Sequence, residues 1–196
     1  MSPIRPATLQ DLPGVYRVCL MTGDAGRDAT ARFRNPDLLG HLYVGPYVVG
    51  EPDLASVVAD DEGIAGYLLA TADTRAFEDW AEHHWWPPLR RQYPETGGNT
   101  PDDEIIRLIH APARVPDAIV EAYPAQLHID LLERARGRGY GRRLVDGLLE
   151  TLRTRASPGV HLDVASENEN AIAFYRHLGF SEVHRMESSL LMGLRL

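Results

Sequence analysis

Glycine alternates with arginine or tyrosine in residues 136–141, the stretch of this chain whose residue types are best suited to bind an anion. Glycine allows positive φ and a close approach of the backbone, so successive N–H groups can converge on a phosphate. An apolar run at 127–132 precedes the stretch and an amphipathic segment at 142–154 follows it, which predicts a strand, a turn and a helix. The N-terminus of that helix would add about half a positive charge. We therefore predict a pyrophosphate-binding loop formed by Arg136, Gly137, Arg138, Gly139, Tyr140, Gly141 and Arg142.

The spacing within this loop distinguishes it from a P-loop but not from a dinucleotide-binding loop. A P-loop ends in Gly-Lys followed by Ser or Thr, whereas this loop ends in Gly141-Arg142-Arg143. A dinucleotide-binding loop begins with a glycine where Arg136 stands, and an acidic residue follows about twenty residues later on the next strand. Asp163 lies near that distance but on a later strand, so the loop alone leaves the second alternative open.

A second motif, at residues 168–180, decides between these alternatives. It reads Asn-x-x-Ala-x-x-Phe-Tyr-x-x-x-Gly-Phe and follows an Arg-x-x-Gly-x-Gly loop in that order. Together the two motifs resemble the acetyl-CoA-binding half of the GNAT acyltransferase superfamily. The resemblance implies an α/β fold with a mixed central β-sheet flanked by helices. It also implies acetyl-CoA as the co-substrate and an amine as the acceptor.

The segments before the loop fit the element order of that fold. Residues 4–7 predict a first strand, and a capped helix is expected at 8–21. A second short helix is expected at 36–43. Two apolar runs, 55–59 and 64–71, are separated by an acidic turn that ends in glycine, and they predict a β-hairpin.

The connection between the hairpin and the strand at 127–132 is unusually long and rich in Trp, His and Pro. A loop of this length generally has a function or carries helices of its own, and helical patterns occur at 78–86 and 102–110. We therefore expect a helical, aromatic insertion between the third and fourth strands. The prediction is one domain with an N-terminal half (1–73), an insertion (74–125) and an acetyl-CoA-binding half (126–196).

Nearly the whole chain also resembles the acetyltransferase-like domain at the C-terminus of eukaryotic nucleocytoplasmic O-GlcNAcase. In that domain the pyrophosphate loop is degenerate, whereas here the loop is intact. No glycosidase part accompanies the resemblance, so we do not expect hydrolysis of O-GlcNAc. The matching features are Ile4-Arg5-Pro6, Pro36-Asp37-Leu38, Asp61-Glu62-Gly63-Ile64, Gly66-Tyr67, Thr71-x-Asp73-x-x-x-Phe77, Trp85-x-Pro87, Tyr93, Asp130 and Glu187.

Two hypotheses follow from these resemblances. The first is an acetyl-CoA-dependent N-acetyltransferase that passes the acetyl group directly to a primary amine, either a small amine or a protein lysine. The second is a non-catalytic module that binds acetyl-CoA or a protein partner. An intact loop favours cofactor binding under both hypotheses, and only a test for transfer separates them.

Alternation along two strands places polar residues on one face of the predicted sheet. His128 and Asp130 share a face of the strand at 127–132, and His161 with Asp163 share a face of the next strand. Parallel strands covered on both sides are normally apolar throughout, so these residues indicate a wet cleft. Two histidines and two aspartates could also bind a metal, but the family's chemistry needs none and we expect no metal. Structural pairing of histidine with aspartate is the other interpretation.

The resemblance assigns roles in catalysis to Asp130 and Tyr175. An alkylammonium group has a pKa of about 10.4 and must lose a proton before it attacks, and Asp130 could accept that proton directly or through water. Tyr175 would protonate the departing thiolate. A backbone N–H near Leu131 or Leu132 would bind the oxyanion. Asn168 would bond either the pantetheine arm or its own turn, and these two possibilities stay open.

The acceptor side is predicted from aromatic and acidic residues elsewhere in the chain. Trp85 and Trp86 could form a wall for a cationic amine, because aromatic faces attract cations. The polar turn at 23–28 could form another wall, with Asp24 as a further attraction. The alternative is that Trp85 only packs the insertion against the domain.

Composition limits the partners and the cellular compartment. The 196 residues carry a net charge of −8, and their 20 basic residues include no lysine. Such a surface argues against nucleic acid or an anionic membrane as the main partner. There is no membrane-length apolar run and no signal-peptide pattern. The one cysteine, Cys19, is expected to be a buried structural thiol, which suits the reducing cytoplasm.

Overall fold

The mixed sheet of this protein places a gap between two of its central strands. The computed structural model describes residues 3–196, so residues 1 and 2 of the predicted N-terminal half lie outside it. The strands of the described part lie in the spatial order β1-β2-β3-β4-β5-β7-β6, and only β4 and β5 run parallel. Their bounds are β1 Ile4–Pro6, β2 Ala55–Asp60, β3 Gly63–Thr71, β4 Ala125–Leu131, β5 Gly159–Ala165, β6 Ser181–Arg185 and β7 Ser189–Arg195.

Helices cover both faces of the sheet, so the predicted α/β class and the flanked mixed sheet are confirmed. Short 3-10 turns occur at Leu9–Asp11, Thr30–Arg32, Pro52–Leu54 and Glu133–Ala135. The helices are α1 Leu12–Thr22, α2 Leu38–Tyr43, α3 Gly45–Gly50, α4 Thr74–His84, α5 Trp86–Gln92, α6 Pro101–His110, α7 Asp117–Ala122, α8 Tyr140–Thr154 and α9 Glu169–His177.

The residues between β3 and β4 form four helices, α4 to α7. Local capping explains where two of them begin. The carboxylate of Asp73 accepts a hydrogen bond from the N–H of Ala76 at the start of α4. Thr100 and Asp103 form a capping box at the start of α6, which satisfies two backbone donors that a helix leaves free.

Two hydrophobic clusters lie on opposite faces of the sheet. Helices α1 to α6 pack on one face, and α8 and α9 pack on the other. The alternation predicted for β4 is confirmed, because Leu127 belongs to the α8 side and Leu132, just after the strand, belongs to the α1 side. None of the helices within residues 3–196 combines the length and the apolar character needed to span a membrane.

Strands β4 and β5 separate after a very short paired region. They pair only at Ala125 with Val160 and at Gln126 with His161. On its other side, β4 stays paired with β3 as far as Leu131. From residue 127 onward, β4 therefore turns one backbone edge towards a gap in the sheet.

Candidate functional site

Two cavities meet at the gap between β4 and β5. The smaller, about 230 Å³, lies between β4, β5, α1 and α9. The larger, about 470 Å³, lies between α2, α4, the loop at 112–116 and β7. Their linings share four residues, Tyr43, Leu127, His128 and Asp163. A group bound in one cavity can therefore approach a group bound in the other at this junction.

Tyr67, His128 and Asp130 form a compact triangle of hydrogen bonds beside the junction. The Tyr67 hydroxyl donates to Oδ2 of Asp130 at 2.6 Å and lies 3.0 Å from Nε2 of His128. Nε2 of His128 lies 2.9 Å from the same Oδ2. Tyr67 is fully buried, and burial followed by the charge of Asp130 raises the pKa of its hydroxyl well above the ordinary value. The phenol therefore keeps its proton and donates a hydrogen bond to Asp130.

Asp163 and Tyr43 line both cavities. Asp163 is open to water in the cavities, but protein atoms surround it on most sides, and this desolvation raises the pKa of its carboxyl. Tyr43 is 40% exposed. Desolvation and then the nearby Cys19 and Asp163 raise the pKa of its hydroxyl to about 12. Asp163 thus places an acidic side chain at the junction, where a cation can pair with it.

Tyr175 and Cys19 line the smaller cavity from opposite helices. Tyr175 is 6% exposed, and burial followed by the charge of Asp130 raises the pKa of its hydroxyl, which therefore carries its proton at neutral pH. Burial also raises the pKa of the Cys19 thiol. Because the thiolate is the reactive form of cysteine, Cys19 is suited to packing, as its sequence context predicts.

The glycine loop adopts the backbone conformation that its sequence predicts. Gly137 and Gly139 have φ values of 71° and 75°, and Gly139 directly precedes α8. A Cβ atom at either position would meet no other atom within 4 Å. The requirement for glycine there is thus set by the left-handed backbone and not by crowding. The first N–H groups of α8 have no partner within the helix and are available to an anion.

Arg136 and Arg142 of the predicted loop are already engaged with the protein. Arg136 donates from Nε to the carbonyl of Leu131 at 2.8 Å and from Nη2 to the carbonyl of Gly26 at 3.0 Å. Arg142 pairs with Asp146 one turn further along α8, at 3.4 Å. The Arg143 guanidinium lies 4.8 Å from the centre of the Tyr140 ring. Arg136 therefore fixes the loop to the end of β4.

The two predicted oxyanion donors differ in availability. The N–H of Leu132 donates to the carbonyl of Ala65 at 2.8 Å, so this group is occupied. Hydrogen bonds of an antiparallel pair use alternate residues, and the N–H of Leu131 therefore points away from β3 towards the gap. Leu131 directly follows Asp130, which lines the smaller cavity. Of the two, Leu131 is the donor that the structure leaves free.

The side chains of Asn168 and Asp24 both form contacts with residues near them in the sequence. Oδ1 of Asn168 accepts from the N–H of Ala171 and caps α9, while the side chain also lines the smaller cavity. Asp24 is paired with Arg27 and Arg32 and contributes to neither cavity lining.

The indole of Trp85 lies outside both cavity linings. Its Nε1 donates to the carbonyl of His41 at 2.9 Å. The neighbouring Trp86 lines the larger cavity instead. The packing interpretation of Trp85 thus describes its observed contacts.

His161, which shares a face of β5 with Asp163, lies outside both cavity linings. It is fully buried, its Nδ1 lies 2.7 Å from the carbonyl of Tyr123, and burial lowers its pKa. Within residues 3–196, no three His, Cys, Asp or Glu side chains form a group that could hold a metal ion. The two His-x-Asp pairs therefore do not combine into one site.

Sequence reasoning gave no role in the site to Tyr43 or Tyr67. Tyr67 occurs only in the resemblance, and alternation along β3 places it on one face with Leu69. Its position opposite Asp130 follows from the β3–β4 register. No local signal in the sequence reports that register.

Comparisons with known proteins agree on one family. Residues 118–180 match the model of the Acetyltransferase (GNAT) family. Protein O-GlcNAcase of Rattus norvegicus is 26% identical over 188 residues, which are 94% of this chain and 20% of that protein. The chain thus spans about a fifth of the length of these curated relatives. Mycothiol acetyltransferase of Beutenbergia cavernae is 35% identical over 130 residues, 53% of this chain and 42% of that protein.

Solved structures share the fold over almost the full chain. The crystal structure of SsHAT superimposes with a TM-score of 0.90 at 40% identity, covering 98% of this chain and 96% of the other. The PaiA N-acetyltransferase of Thermoplasma acidophilum, in complex with coenzyme A, gives a TM-score of 0.60 at 12% identity. Its match covers 98% of both chains. At that identity the second likeness concerns the fold alone.

Proposed function

Since the chain belongs to the GNAT acetyltransferase family, whose members transfer the acetyl group of acetyl-CoA, we propose that its acceptor is a primary amine. The amine would be a small molecule or a protein lysine, and transfer would be direct. The observation that carries this proposal is the junction of the two cavities at Tyr43, His128 and Asp163. One cavity lies on the cofactor side and the other is free for an acceptor.

The residues on the cofactor side fit acetyl-CoA. The left-handed glycines of the loop and the N-terminus of α8 suit a pyrophosphate group. The gap between β4 and β5 offers unpaired backbone groups to an amide-containing arm. Asn168 lines this gap, and Arg138 adds an exposed positive charge at the loop. When bound, acetyl-CoA supplies the activated acetyl thioester.

The side chains at the gap can perform the proton transfers that the reaction needs. The amine must lose a proton, and the triangle of Tyr67, His128 and Asp130 contains the proton acceptor. Sequence reasoning favoured Asp130 for that role. Tyr175 would protonate the thiolate from the other side of the smaller cavity, and the N–H of Leu131 would bind the thioester oxygen as negative charge develops there.

The lining of the larger cavity supports an amine that carries an apolar or aromatic group. Tyr47, Phe77 and Trp86 line it, and all three are buried. Rings Tyr47 and Phe77 stack at 4.3 Å, and the Tyr47 hydroxyl is occupied by Gln126 at 2.8 Å. These rings therefore present apolar faces. Asp163 at the junction, together with Glu78, Asp79 and Glu82 elsewhere in the lining, would supply the negative charge that draws the ammonium group inward.

The test combines binding with transfer. Calorimetric titration should give saturable binding of acetyl-CoA. Thiol release should then rise when amines, aminoglycosides or lysine peptides are added, with mass spectrometry of the acetylated acceptor. Release without any acceptor measures hydrolysis and is the control. Tight binding with no acetylated product from any acceptor would contradict the proposal and favour a non-catalytic acetyl-CoA-binding module.

A further inference from the structure

We propose that His128, and not Asp130, takes the proton from the acceptor amine, with Asp130 and Tyr67 as the residues that orient its imidazole. This inference rests on the proposed function, because it concerns the proton that a primary amine must lose. Two observations support it. One is the arrangement of protons that the hydrogen-bonded triangle requires, and the other is which cavities His128 and Asp130 each line.

The triangle determines which nitrogen of His128 carries a proton. Tyr67 has one hydroxyl proton, and it lies towards Oδ2 of Asp130 at 2.6 Å. An ionised carboxylate only accepts. An unprotonated Nε2 would therefore face lone pairs on the Tyr67 oxygen at 3.0 Å and on Oδ2 of Asp130 at 2.9 Å, with no proton to form either hydrogen bond. Nε2 must carry the proton, so the lone pair of the neutral imidazole lies on Nδ1.

The lone pair on Nδ1 is accessible. Nδ1 of His128 makes no hydrogen bond within residues 3–196. If it were also buried, it would be a buried nitrogen without a partner, but in this range that description fits only Nε2 of His161. Solvent therefore reaches Nδ1 of His128. The side chain of His128 is 29% exposed and lines both cavities. The free lone pair thus belongs to a ring at the junction.

Asp130 is less well placed for the same step. Its carboxylate lines only the smaller, cofactor-side cavity. Oδ2 already accepts two hydrogen bonds, from the Tyr67 hydroxyl and from Nε2 of His128. An aspartate that accepts from one imidazole nitrogen holds the ring in one tautomer and stabilises the imidazolium that forms when the other nitrogen gains a proton. Asp130 therefore positions the imidazole of His128 and does not itself take the proton from the amine.

Asp163 is the competing proton acceptor, because it also lines both cavities. It has no cationic partner among the described residues, so an ammonium group can pair with it directly. In this arrangement Asp163 holds the cation and His128 removes its proton. The titratable groups that line the smaller cavity with His128 are Cys19 on α1, Tyr43 on α2, Asp130 on β4, Asp163 on β5 and Tyr175 on α9, and Tyr67 on β3 is hydrogen-bonded to it. Glu78, Asp79, Glu82 and Arg114 line the larger cavity with it.

The proton and bond changes balance without a further reactant. Nδ1 of His128 accepts a proton from the ammonium group, and the freed nitrogen lone pair forms the N–C bond to the acetyl carbon. The C–S bond breaks, and its electron pair stays on sulfur, which Tyr175 protonates. The attacking nitrogen loses its second proton to the tyrosine oxygen, and the imidazolium releases its proton to solvent. The products are the amide, free thiol and one proton.

The first experiment needs no acceptor. Long-range ¹H–¹⁵N spectra of the imidazoles should show neutral His128 as the Nε2–H tautomer in the wild type, and Asp130→Asn should populate the Nδ1–H tautomer. The exposed His177 should keep its signals in the variant and serves as the control. An Nδ1–H tautomer in the wild-type protein would overturn the proposal, whatever the acceptor is.

The second experiment separates proton removal from positioning. 2-Phenylethylamine is mostly protonated at neutral pH, whereas its 2,2-difluoro analogue has nearly the same shape and a much more acidic ammonium group. His128→Gln should lower kcat/KM about 100-fold or more for the first amine and far less for the second. Asp163→Asn should raise KM for 2-phenylethylamine more than for the analogue and leave kcat near the wild-type value, because it weakens only the attraction of the ammonium cation. The affinity of each variant for acetyl-CoA should stay at the wild-type value.

Two results would contradict the role of His128. One is an equal loss for both amines in His128→Gln. The other is a fall in kcat that depends on amine basicity in Asp163→Asn but not in His128→Gln. Failure of the wild type to acetylate either amine would instead count against the proposed acceptor class, and the imidazole spectra would still decide the proton arrangement.

Discussion

Arg136 donates a 3.0 Å hydrogen bond from Nη2 to the backbone carbonyl of Gly26, which lines the smaller cavity. Nε of the same guanidinium donates to the carbonyl of Leu131. One side chain therefore joins the start of the glycine loop, the end of β4 and the turn that follows α1. This places its positive charge in a fixed position, at the loop that we propose binds pyrophosphate.

Replacing Arg136 by glutamine should weaken acetyl-CoA binding and also lower thermal stability, because both hydrogen bonds are lost. Arg138→Gln at the exposed neighbour should weaken binding without changing stability. Calorimetric titration and thermal unfolding of both variants measure the two effects. Equal stability of the two variants would show that the contacts of Arg136 contribute nothing to the fold.

Gly139→Val should abolish measurable acetyl-CoA binding, because a β-branched residue at φ 75° is strained by about 1–3 kcal/mol and would shift the loop. Gly147→Ala is the matched control. A Cβ atom there also meets no atom within 4 Å, but the position is helical, so the change should preserve binding and raise stability by up to about 1 kcal/mol. Full binding by Gly139→Val would refute the assignment of the loop.

Tyr175→Phe should lower kcat about 100-fold or more while the Kd for acetyl-CoA stays within about twofold, because only the proton donor is removed. Stopped-flow or steady-state thiol release and calorimetry provide the two values. Tyr123→Phe removes a tyrosine hydroxyl outside both cavities and should leave kcat unchanged. Wild-type turnover in Tyr175→Phe would show that another group protonates the thiolate.

Trp86→Leu should raise the KM for the amine with little change in kcat, because Trp86 lines the larger cavity. Trp85→Phe should leave that KM unchanged. It should lower the free energy of unfolding by about 0.5–1.5 kcal/mol, since the Trp85 indole loses its hydrogen bond to His41. Steady-state kinetics and urea unfolding test the pair. The reverse pattern of KM values would restore Trp85 as the acceptor wall.

Asp11 should make stability fall in acid. Its hydrogen bonds from Arg5 and then Thr8 lower the pKa of the Asp11 carboxyl to about 2. Because the folded-state pKa is lower than the unfolded one, the stabilisation is complete above about pH 4 and is lost as pH falls towards 2. Arg5 is 43% exposed, so we expect about 1–2 kcal/mol.

Urea unfolding of wild type and Asp11→Asn across pH measures this term. The difference in free energy of unfolding should be largest near neutral pH and shrink towards pH 2. Asp61→Asn in the exposed hairpin turn should match the wild type throughout. A difference for Asp11→Asn that stays constant with pH would show that the ion pair is not its cause.

The parts of the site that depend on neighbouring residues were predictable from the sequence. Glycine at positions of positive φ, the amphipathic pattern of α8 and the alternation of β4 are local signals, and they predicted the loop and the polar face. The pairing of Tyr67 with Asp130 depends on the register between β3 and β4, which is a long-range property. The residues of the site itself stay predictions until binding and transfer are measured.

The unpredicted features also have physical reasons. Trp85 and Trp86 are adjacent, and Trp85 lies between the end of α4 at His84 and the start of α5 at Trp86, so the direction of each side chain depends on the angle between the two helices. Helix α3 begins with Gly45 and Pro46, residues that more often interrupt a helix. Strand β6 is largely exposed and therefore lacks a clear hydrophobic alternation.

The short pairing between β4 and β5 has a consequence for the lifetime of the protein. Within the sheet, β5, β7 and β6 join the other strands through two residue pairs only, so a ligand in the gap would hold the two sides together. Acetyl-CoA at about 100 times its Kd would add about 2.7 kcal/mol to the free energy of unfolding. The protein would then be less stable, and more readily degraded, when the gap is empty.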